Sequence, residues 1–510
     1  MSESRRDFLK KSGGCALGMA ALATQMHHLG TMSAMAQKAI DANSAVTNYK
    51  ALVLLYWSGG NDGNNLIIPM HTDSSVSNYN DYVAARGTQG LAHGQGANPA
   101  ALPITVPRMG NLQYGLHPSL GPVAGGINNG IHDLWGLGKL AAVVNVGNLA
   151  RPMTKTQFLN NSVPKPYQLF SHSDQVNQSQ TSVANTQAFT GWGGRVSDRM
   201  SVTGPLIPMI TSISGAQLFT AGQTTLPLAI ADSNTTLANV LHPAGFGSNP
   251  PTGTNLARFN AFNLLRQQDL LTSNHLKAAS HVTDQAIAAD SAFQVSQETV
   301  VPFPNTSIGR QLRQVARLIR KRTDLSVTRQ IFYVQVGGFD THSNQLPGQT
   351  NLFTQVGQAL RSFWDELAAM TIVGGDNMQE ATTVFTLSDF NRTFNPAGSG
   401  GTVGSDHAWG NHMLVMGGSV NGGNFYGSKR PDANATGDYF PTLTFAGLDD
   451  IDQGSGARGR WLPTTSVDQY AAKLAQWFGL PQDSTTLNAV FPNLQFFSGA
   501  NSALDFMQLP

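Results

Sequence analysis

A carboxylate and an imidazole stand two positions apart in the segment VGGFDTHSNQ, residues 336–345. Asp340 and His342 follow the pair Gly337-Gly338, at the end of an apolar run that would form a buried strand. Aspartate oxygens and histidine nitrogens are suitable ligands for a divalent cation such as zinc, manganese or calcium. The alternative is a well-capped turn that binds nothing, and the rest of the chain helps to decide between them.

Polar residues also follow three other apolar runs. The segments are SGGNDGNN after the first run, LFSHSDQ beyond the second, and SDFNRT with GSDHAWGNH after the fourth. They supply the candidate residues Asp62, Ser171, His172, Asp389, Arg392, Asp406, His407 and His412. A metal beside a hydroxyl polarises a phosphoryl or sulfuryl oxygen and lowers the pKa of that hydroxyl. A serine at a helix N-terminus adds backbone N–H groups that favour an anion.

Four continuous apolar runs predict buried parallel strands that would position these residues. The runs cover residues 51–57, 140–147, 330–338 and 382–388. They do not alternate with polar residues, as expected when helices cover both faces of a sheet. Helical spacing of apolar residues in 307–322 and 352–367 predicts two of those helices. The fold class is therefore α/β, with a largely parallel sheet sandwiched by helices, and such sheets bind ligands at the carboxyl ends of their strands.

The remaining segments are predicted to be insertions and loops on one domain. Residues 247–255 form a proline- and glycine-rich loop, followed by a polar helical region from about 256 to 300. Residues 395–406 form a glycine-rich loop that would cover a site. We expect a single domain over 40–510, with an inserted loop and helical region at about 200–305.

Several candidates have an equally ordinary local explanation. Asp62, in a glycine-rich segment, is a good turn residue, and Ser171 is suited to cap the helix that starts there. Arg392 fits either an anion clamp or a carboxylate partner. The strongest local signal is Asp406-His407 followed by His412 in a glycine-bounded loop.

The N-terminus carries the features of a twin-arginine export signal over residues 1–36. SRRDFLKK is followed by a moderately apolar stretch and an Ala34-Met35-Ala36 cleavage site. The alternative is a cytosolic basic leader before a short helix. Export would involve the twin-arginine translocase and would deliver a folded protein to the periplasm or beyond. No later segment approaches the length of a membrane span, so no transmembrane anchor is expected after signal removal.

The composition of the mature chain argues against several classes of function. The one cysteine, Cys15, lies in the leader, so disulfides and a thiol nucleophile are excluded after cleavage. Removing the leader's basic and acidic residues leaves 27 Lys and Arg against 28 Asp and Glu. This near-neutral balance argues against nucleic acid as a partner.

The chain resembles the bacterial domain-of-unknown-function family numbered 1501 over nearly its whole length. The order of its segments carries this resemblance: SRRDFLK, LVLLYWSGGNDGNNLIIP, LHPSL, SHSDQ, GWGGR, GGFDTHSNQ, SDFNRT, GSDHAWGNHMLVMGG and TTSVDQYAAKLAQWFG. The family is similar to the alkaline phosphatase and sulfatase superfamily. The implied fold is a parallel sheet between helices, with a metal site at the strand ends.

The resemblance implies a role for several of the candidates. Asp62 would be the first metal ligand, and Ser171 the nucleophile. Asp340 and His342 would be the next ligand pair, although superfamily members usually separate that pair by three residues. The superfamily places an Asp-His pair at 389 and 390, where this chain has Asp389-Phe390. A second metal position is therefore weakened unless His407 or His412 replaces the missing histidine.

A formylglycine-dependent sulfatase is disfavoured within this superfamily. The mature chain has no cysteine, and the segment SVPKP at Ser162 lacks the arginine of the sulfatase signature.

The leading hypothesis is an exported metal-dependent hydrolase of phosphate or related anionic esters. The expected metal ligands are Asp62, Asp340, His342, Asp389, Asp406, His407 and His412. Ser171 would attack a small anionic ester, and His172 or Arg392 would stabilise the developing charge. The alternative is a non-catalytic metal- or ligand-binding envelope protein on the same fold. A structural partner in a surface assembly is the third option.

Overall fold

The computed structural model describes residues 48–94, 100–200, 205–225, 227–241, 246–248, 250–266, 274–294, 298–370, 377–398, 402–432, 439–497 and 502–509. The predicted export signal at 1–36 lies outside the described residues, as does part of the glycine-rich loop at 395–406. None of the described helices combines the length and the apolar character of a membrane span.

The strands are short to medium in length. They are β1 (Lys50–Trp57), β2 (Ile67–Pro69), β3 (Leu102–Val106), β4 (Leu112–Leu116), β5 (Leu140–Gly147), β6 (Ile210–Ser212), β7 (Leu228–Ala229), β8 (Arg329–Val336), β9 (Thr382–Ser388), β10 (Asn411–Gly417), β11 (Phe425–Ser428), β12 (Thr465–Ser466) and β13 (Ser502–Ala503).

The helices lie mostly between these strands. They are α1 (Gly63–Leu66), α2 (Tyr79–Arg86), α3 (Asp133–Gly136), α4 (Lys155–Asn160), α5 (His172–Thr181), α6 (Trp192–Asp198), α7 (Leu237–Val240), α8 (Gly253–Leu265), α9 (Asn274–Gln294), α10 (Ser307–Arg320), α11 (Gln345–Ala369), α12 (Met378–Ala381), α13 (Val467–Phe478) and α14 (Ser484–Val490).

The described strands form one large sheet and one small one. The ten-stranded sheet runs β13-β11-β5-β10-β9-β1-β8-β6-β7, with β12 paired to β5. β1 pairs in parallel with β8 and with β9, and β6 pairs in parallel with β8 and with β7. β10 is antiparallel to both β9 and β5, so β5 runs in the same direction as β9. The small sheet, in the order β2-β4-β3, is antiparallel.

Helices cover both faces of the large sheet. Successive residues of a strand point to opposite faces, so each strand contributes side chains to both helix layers. In β1, Val53 and Leu55 join one hydrophobic cluster, and Leu52 and Leu54 join the other. The first cluster also contains the apolar faces of α10 and α11. The second contains the apolar faces of α6 and α13. This two-sided burial explains why the strand sequences are continuously apolar.

The α/β class with a largely parallel sheet is confirmed, and the predicted strands lie within two residues of those observed. The predicted helices at 307–322 and 352–367 correspond to α10 and to the longer α11. β10, which enters the sheet between two strands of the opposite direction, is not among the strands predicted from the sequence. The carboxyl ends of β1, β5, β8 and β9 therefore meet the amino end of β10 at one edge.

Candidate metal centre

Four segments at this edge place ionisable side chains together. Asp340 follows β8, Asp389 follows β9 directly, and His407 lies in the loop that leads into β10. His172 is the first residue of α5, on the connection that leaves β5. These residues are distant in the sequence and meet only because their elements end at the same edge.

A glycine turn after β1 allows the Asp340 segment to approach closely. Gly59 has a φ of +110°, and a Cβ there would lie 2.5 Å from the Asp340 backbone nitrogen. The Phe339 N–H donates to the Ser58 carbonyl at 3.2 Å. A side chain at position 59 would therefore displace Asp340.

The His172 imidazole is oriented by Asp389. Its Nδ1 lies 2.8 Å from Asp389 Oδ2, which also accepts the Gly59 N–H at 3.2 Å. The hydrogen bond to Asp389 raises the pKa of His172 and outweighs the opposing effect of burial. Its Nε2 is buried without a hydrogen-bond partner and lies 3.5 Å from Asp340 Oδ2.

The His407 imidazole is oriented by a backbone carbonyl. Its Nδ1 lies 2.8 Å from the Phe170 carbonyl oxygen, which can only accept, so Nδ1 carries the proton. Its Nε2 lies 3.5 Å from Asp340 Oδ1. Burial lowers the pKa of His407 despite that hydrogen bond, which favours the neutral ring.

The His342 imidazole is held by a third acceptor. Its Nδ1 lies 3.2 Å from Asp406 Oδ1, and its Nε2 lies 3.0 Å from Asp340 Oδ1 and from His407 Nε2. Arg458 Nη1 donates to the other oxygen of Asp406 at 2.8 Å. Burial raises the pKa of Asp406, but the Arg458 charge leads the opposing effects and the net shift is downward.

These contacts give the three histidines the same arrangement. Each Nδ1 faces an acceptor, and each Nε2 lies within 3.5 Å of an Asp340 carboxylate oxygen. Metal-ligating histidines almost always donate their other ring N–H in this way. The ligand atoms of His172, Asp340 and His407 lie within 4.8 Å of one another.

The donor set and its exposure fit a transition-metal ion. Two Nε2 atoms at 3.0 Å, those of His342 and His407, repel each other unless a proton or a cation lies between them. Imidazole with carboxylate suits zinc or manganese better than calcium, which prefers oxygen ligands. The side chains of Asp340 and His342 are 45% and 47% exposed, so the site is open to solvent on one side.

Arg392 holds Asp340 from behind and is not open to a ligand. Its side chain is fully buried, and Nη2 bonds Asp340 Oδ1. Its other N–H groups face the backbone carbonyls of Gly59, Gly60 and Ser405, and Nη1 also lies 3.4 Å from His342 Nε2. Burial raises the pKa of Asp340, but the hydrogen bond and charge of Arg392 lower it further, so the carboxylate stays ionised. Of the alternatives for Arg392, the structure favours the carboxylate partner over the anion clamp.

Phe390 directly follows Asp389, at the position where the sequence resemblance implies a histidine. Its ring lies 4.7 Å from the His172 ring and 4.5 Å from the His407 ring, centroid to centroid. The residue is 3% exposed. Phe390 therefore forms an apolar wall against both imidazoles, and His407 supplies an imidazole next to it.

The structure does not bring Asp62 into this cluster. Asp62 is 0% exposed and pairs with the buried Arg86, with Nη1 2.5 Å from Oδ2. Gln345 Nε2 donates to the same oxygen at 2.5 Å, and Asn64 donates to Oδ1. These bonds occupy the carboxylate, which also caps α1.

His412 also lies apart from the cluster. It belongs to β10, is 1% exposed, and its Nδ1 accepts the Asn145 N–H at 3.1 Å. Its ring stacks on Phe440 at 4.7 Å. Burial lowers the pKa of His412 to about 3, so it is a neutral core histidine.

Ser171 occupies the N-cap position of α5, but its side chain does not cap the helix. Its Oγ instead donates to Asp174 Oδ2 at 2.6 Å and lies 3.2 Å from Ser173 Oγ. The preceding residue, Phe170, has a φ of +76°, a conformation that non-glycine residues seldom adopt. Such backbone strain is often found at functional sites.

Asp389 and Asp406 lie at the centre as hydrogen-bond partners of two imidazoles. Asp389 contacts His172, and Asp406 contacts His342. The Phe170 carbonyl and Arg458, which hold His407 and Asp406, are not among the site groups predicted from the sequence. A backbone carbonyl leaves no signal in residue identity. Arg458 is separated from Asp406 by more than fifty residues, and no local pattern links them.

Two solved alkaline phosphatases show weak structural similarity to this chain. A TAB5 alkaline phosphatase variant with magnesium bound in its M3 site is similar at 8% identity and a TM-score of 0.21, covering 73% of this chain and 91% of that one. Wild-type alkaline phosphatase PafA is similar at 13% identity and a TM-score of 0.23, covering 69% of this chain and 64% of that one.

No curated protein matches the sequence. A family model described as "Protein of unknown function (DUF1501)" matches residues 49–439. This match spans most of the sheet and the whole cluster of His172, Asp340, His342 and His407. The chain belongs to the DUF1501 family.

Proposed function

We propose that this chain is an exported, metal-dependent hydrolase of phosphate or related anionic esters, with Ser171 as its nucleophile. The observation that carries the proposal is the shared orientation of His172, His342 and His407 around Asp340. Metal-ligating histidines hold Nδ1–H against an acceptor and direct Nε2 at the metal, and these three imidazoles have that arrangement around Asp340.

The residues that would hold the metal are His172, Asp340, His342 and His407. When bound, a zinc or manganese ion would supply Lewis-acid polarisation of an ester oxygen. Asp389 and Asp406 would orient the imidazoles. Arg392 would keep Asp340 ionised and fixed in place.

Ser171 is supported as the nucleophile by its position and its partner. It lies between Phe170, whose carbonyl accepts the His407 Nδ1–H, and His172, whose Nδ1 is held by Asp389. Its hydroxyl donates to Asp174, which is placed to accept the proton when the oxygen attacks. A serine hydroxyl that is hydrogen-bonded to a carboxylate base can be activated for nucleophilic attack.

Ester hydrolysis by two variants, Ser171→Ala and its matched control Ser173→Ala, tests whether Ser171 is the nucleophile. Turnover of phosphate monoesters and diesters would be measured with added zinc or manganese. We expect Ser171→Ala to lose at least about 100-fold in kcat. Ser173→Ala, which removes the neighbouring hydroxyl at 3.2 Å, should retain activity. Equal turnover by the two variants would remove Ser171 from the mechanism.

A non-catalytic metal-binding protein is the second candidate. Two observations favour it: Phe390 fills a position where a ligand is expected, and Arg392 is not free to bind an anion. This protein would bind the metal through the same imidazoles without acting on esters. A chain that retains metal yet turns over none of the esters would support this alternative.

A further inference from the structure

Three cationic side chains lie over phenyl rings, and one of these pairs adjoins the metal centre. The pairs are Arg460 over Phe170 at 5.2 Å, Lys165 over Phe158 at 3.8 Å, and Arg151 over Phe496 at 4.1 Å, each measured to the ring centroid. We call these six residues the cation–ring strip. A cation over an aromatic face is attracted by the ring and loses some of its mobility.

The strip borders one small hydrophobic core. Phe158 and Phe170 pack against the buried cluster of Leu149, Met153, Trp409, Ile451 and Leu462. Phe497, the neighbour of Phe496 in sequence, packs against the same cluster. Two of the rings therefore border this core directly, and the third pair is connected to it through Phe497 and through Arg151, which lies between Leu149 and Met153 in the sequence.

One end of the strip is continuous with the metal centre. The Phe170 carbonyl accepts from His407 Nδ1, and Arg460 Nε donates to the His407 carbonyl at 3.1 Å. Phe170 also precedes Ser171 directly. Arg460 is thus the member of the strip closest to the groups that would react.

The cations of the strip are available to an anion. Arg151 and Lys165 have no carboxylate partner among the described residues, and Arg460 uses Nη1 for Asp452 at 3.0 Å but leaves Nη2 unpaired. Two partly exposed arginines elsewhere, Arg310 and Arg361, are instead neutralised by Asp232 and Asp133. Arg151 and Lys165 therefore add positive charge that no described carboxylate neutralises to a chain whose net charge is only +1.

We propose that the cation–ring strip binds successive phosphate groups of a linear polyanion and leads one end of it to the metal centre. The reaction at that end rests on the proposed hydrolase function, but binding by the strip does not. Arginine and lysine recognise phosphate through charge and N–H groups, and the rings hold these cations in place. Arg460 would then bind the anion in place of Arg392, whose N–H groups are already occupied.

Binding of inorganic polyphosphate to the full chain tests the proposal. Calorimetry would compare wild type with the triple variant Arg151→Gln, Lys165→Gln, Arg460→Gln. We expect the triple variant to bind at least tenfold more weakly. The slope of log affinity against log salt should become shallower by about two, because each lost phosphate contact contributes about 0.7. Unchanged affinity and slope would overturn the proposal.

A matched control and a metal-site variant distinguish failure of the strip proposal from failure of the hydrolase proposal. Arg266 lies 5.4 Å from the Phe262 ring and pairs with Asp284, outside the strip, so Arg266→Gln should bind polyphosphate like wild type. Asp340→Asn should bind polyphosphate with similar affinity while losing ester turnover. An equal loss in Arg266→Gln, or tighter binding of a DNA oligonucleotide of the same charge, would overturn the assignment. Absence of ester turnover in wild type would remove the hydrolase function and leave the binding result intact.

Discussion

The Nδ1 atom of His172 lies 2.8 Å from Oδ2 of Asp389, a carboxylate that is 4% exposed. This bond fixes the ring so that Nε2 is directed at Asp340. We expect Asp389→Asn to weaken zinc or manganese binding by about 10- to 100-fold, because the asparagine accepts more weakly from the imidazole. Competition with a chelating dye measures the change.

The control for this variant is Asp232→Asn, which alters an aspartate–arginine pair outside the centre. Its metal affinity should equal that of wild type. If Asp389→Asn also binds like wild type, Asp389 does not orient a ligand.

Asp62 should matter for stability and not for metal binding. Asp62→Ala leaves the buried Arg86 guanidinium without its carboxylate, which costs about 3–5 kcal/mol. Urea unfolding measures this loss. Elemental analysis of the folded fraction should give the metal content of wild type. A variant of normal stability that has lost its metal would show that Asp62 is a ligand after all.

Asp468 should make the stability of the fold depend on pH. Burial raises the pKa of this carboxyl to about 7, although its hydrogen bonds and the Arg195 charge lower it. Between an unfolded pKa near 4 and about 7, the folded chain keeps a proton that the unfolded chain releases. The free energy of unfolding therefore falls as the pH rises through this window, by up to about 1.4 kcal/mol per pH unit.

Asp468→Asn should flatten that part of the stability curve, which thermal unfolding at several pH values would show. Asp483→Asn is the control, since Asp483 is an exposed helix cap. A wild-type curve parallel to that of Asp468→Asn would mean that Asp468 ionises normally in the folded chain.

Export should depend on the arginine pair in SRRDFLKK. We expect the double variant Arg5→Lys, Arg6→Lys to accumulate in the cytoplasm with its leader uncut, because the twin-arginine translocase reads that dipeptide. Cell fractionation with mass measurement would show this. The companion variant Lys10→Arg, Lys11→Arg keeps the pair and should be exported. A processed double-lysine protein outside the cytoplasm would refute the export route.

Much of the fold could be predicted because the central strands are buried on both faces. Their continuous apolar runs stand out from the polar background, as for 51–57 and 382–388. β10 was missed because NHMLVMG follows a glycine-rich loop and begins with polar residues that suggested ligation. His412 was grouped with that loop for the same reason, although as part of β10 it is buried beside Phe440.

The meeting of Asp340, His342 and His407 could be predicted from their position after strands and in one loop. The contacts that fix their roles could not. Asp62 is satisfied by Arg86 on α2, a pairing without a local pattern. Arg392 is bound by carbonyls of residues up to 333 positions away, and a backbone carbonyl is the same for every residue type.

We expect the imidazoles and Asp340 to bind one transition-metal ion, and metal stoichiometry tests this most directly. Purified full chain would be stripped, titrated with zinc and with manganese, and compared with His407→Ala and with His132→Ala, a histidine outside the centre. We expect about one tightly bound ion per wild-type and His132→Ala chain, and affinity at least tenfold weaker for His407→Ala. No tight binding by the folded wild-type chain, or equal affinity in His407→Ala, would contradict the account.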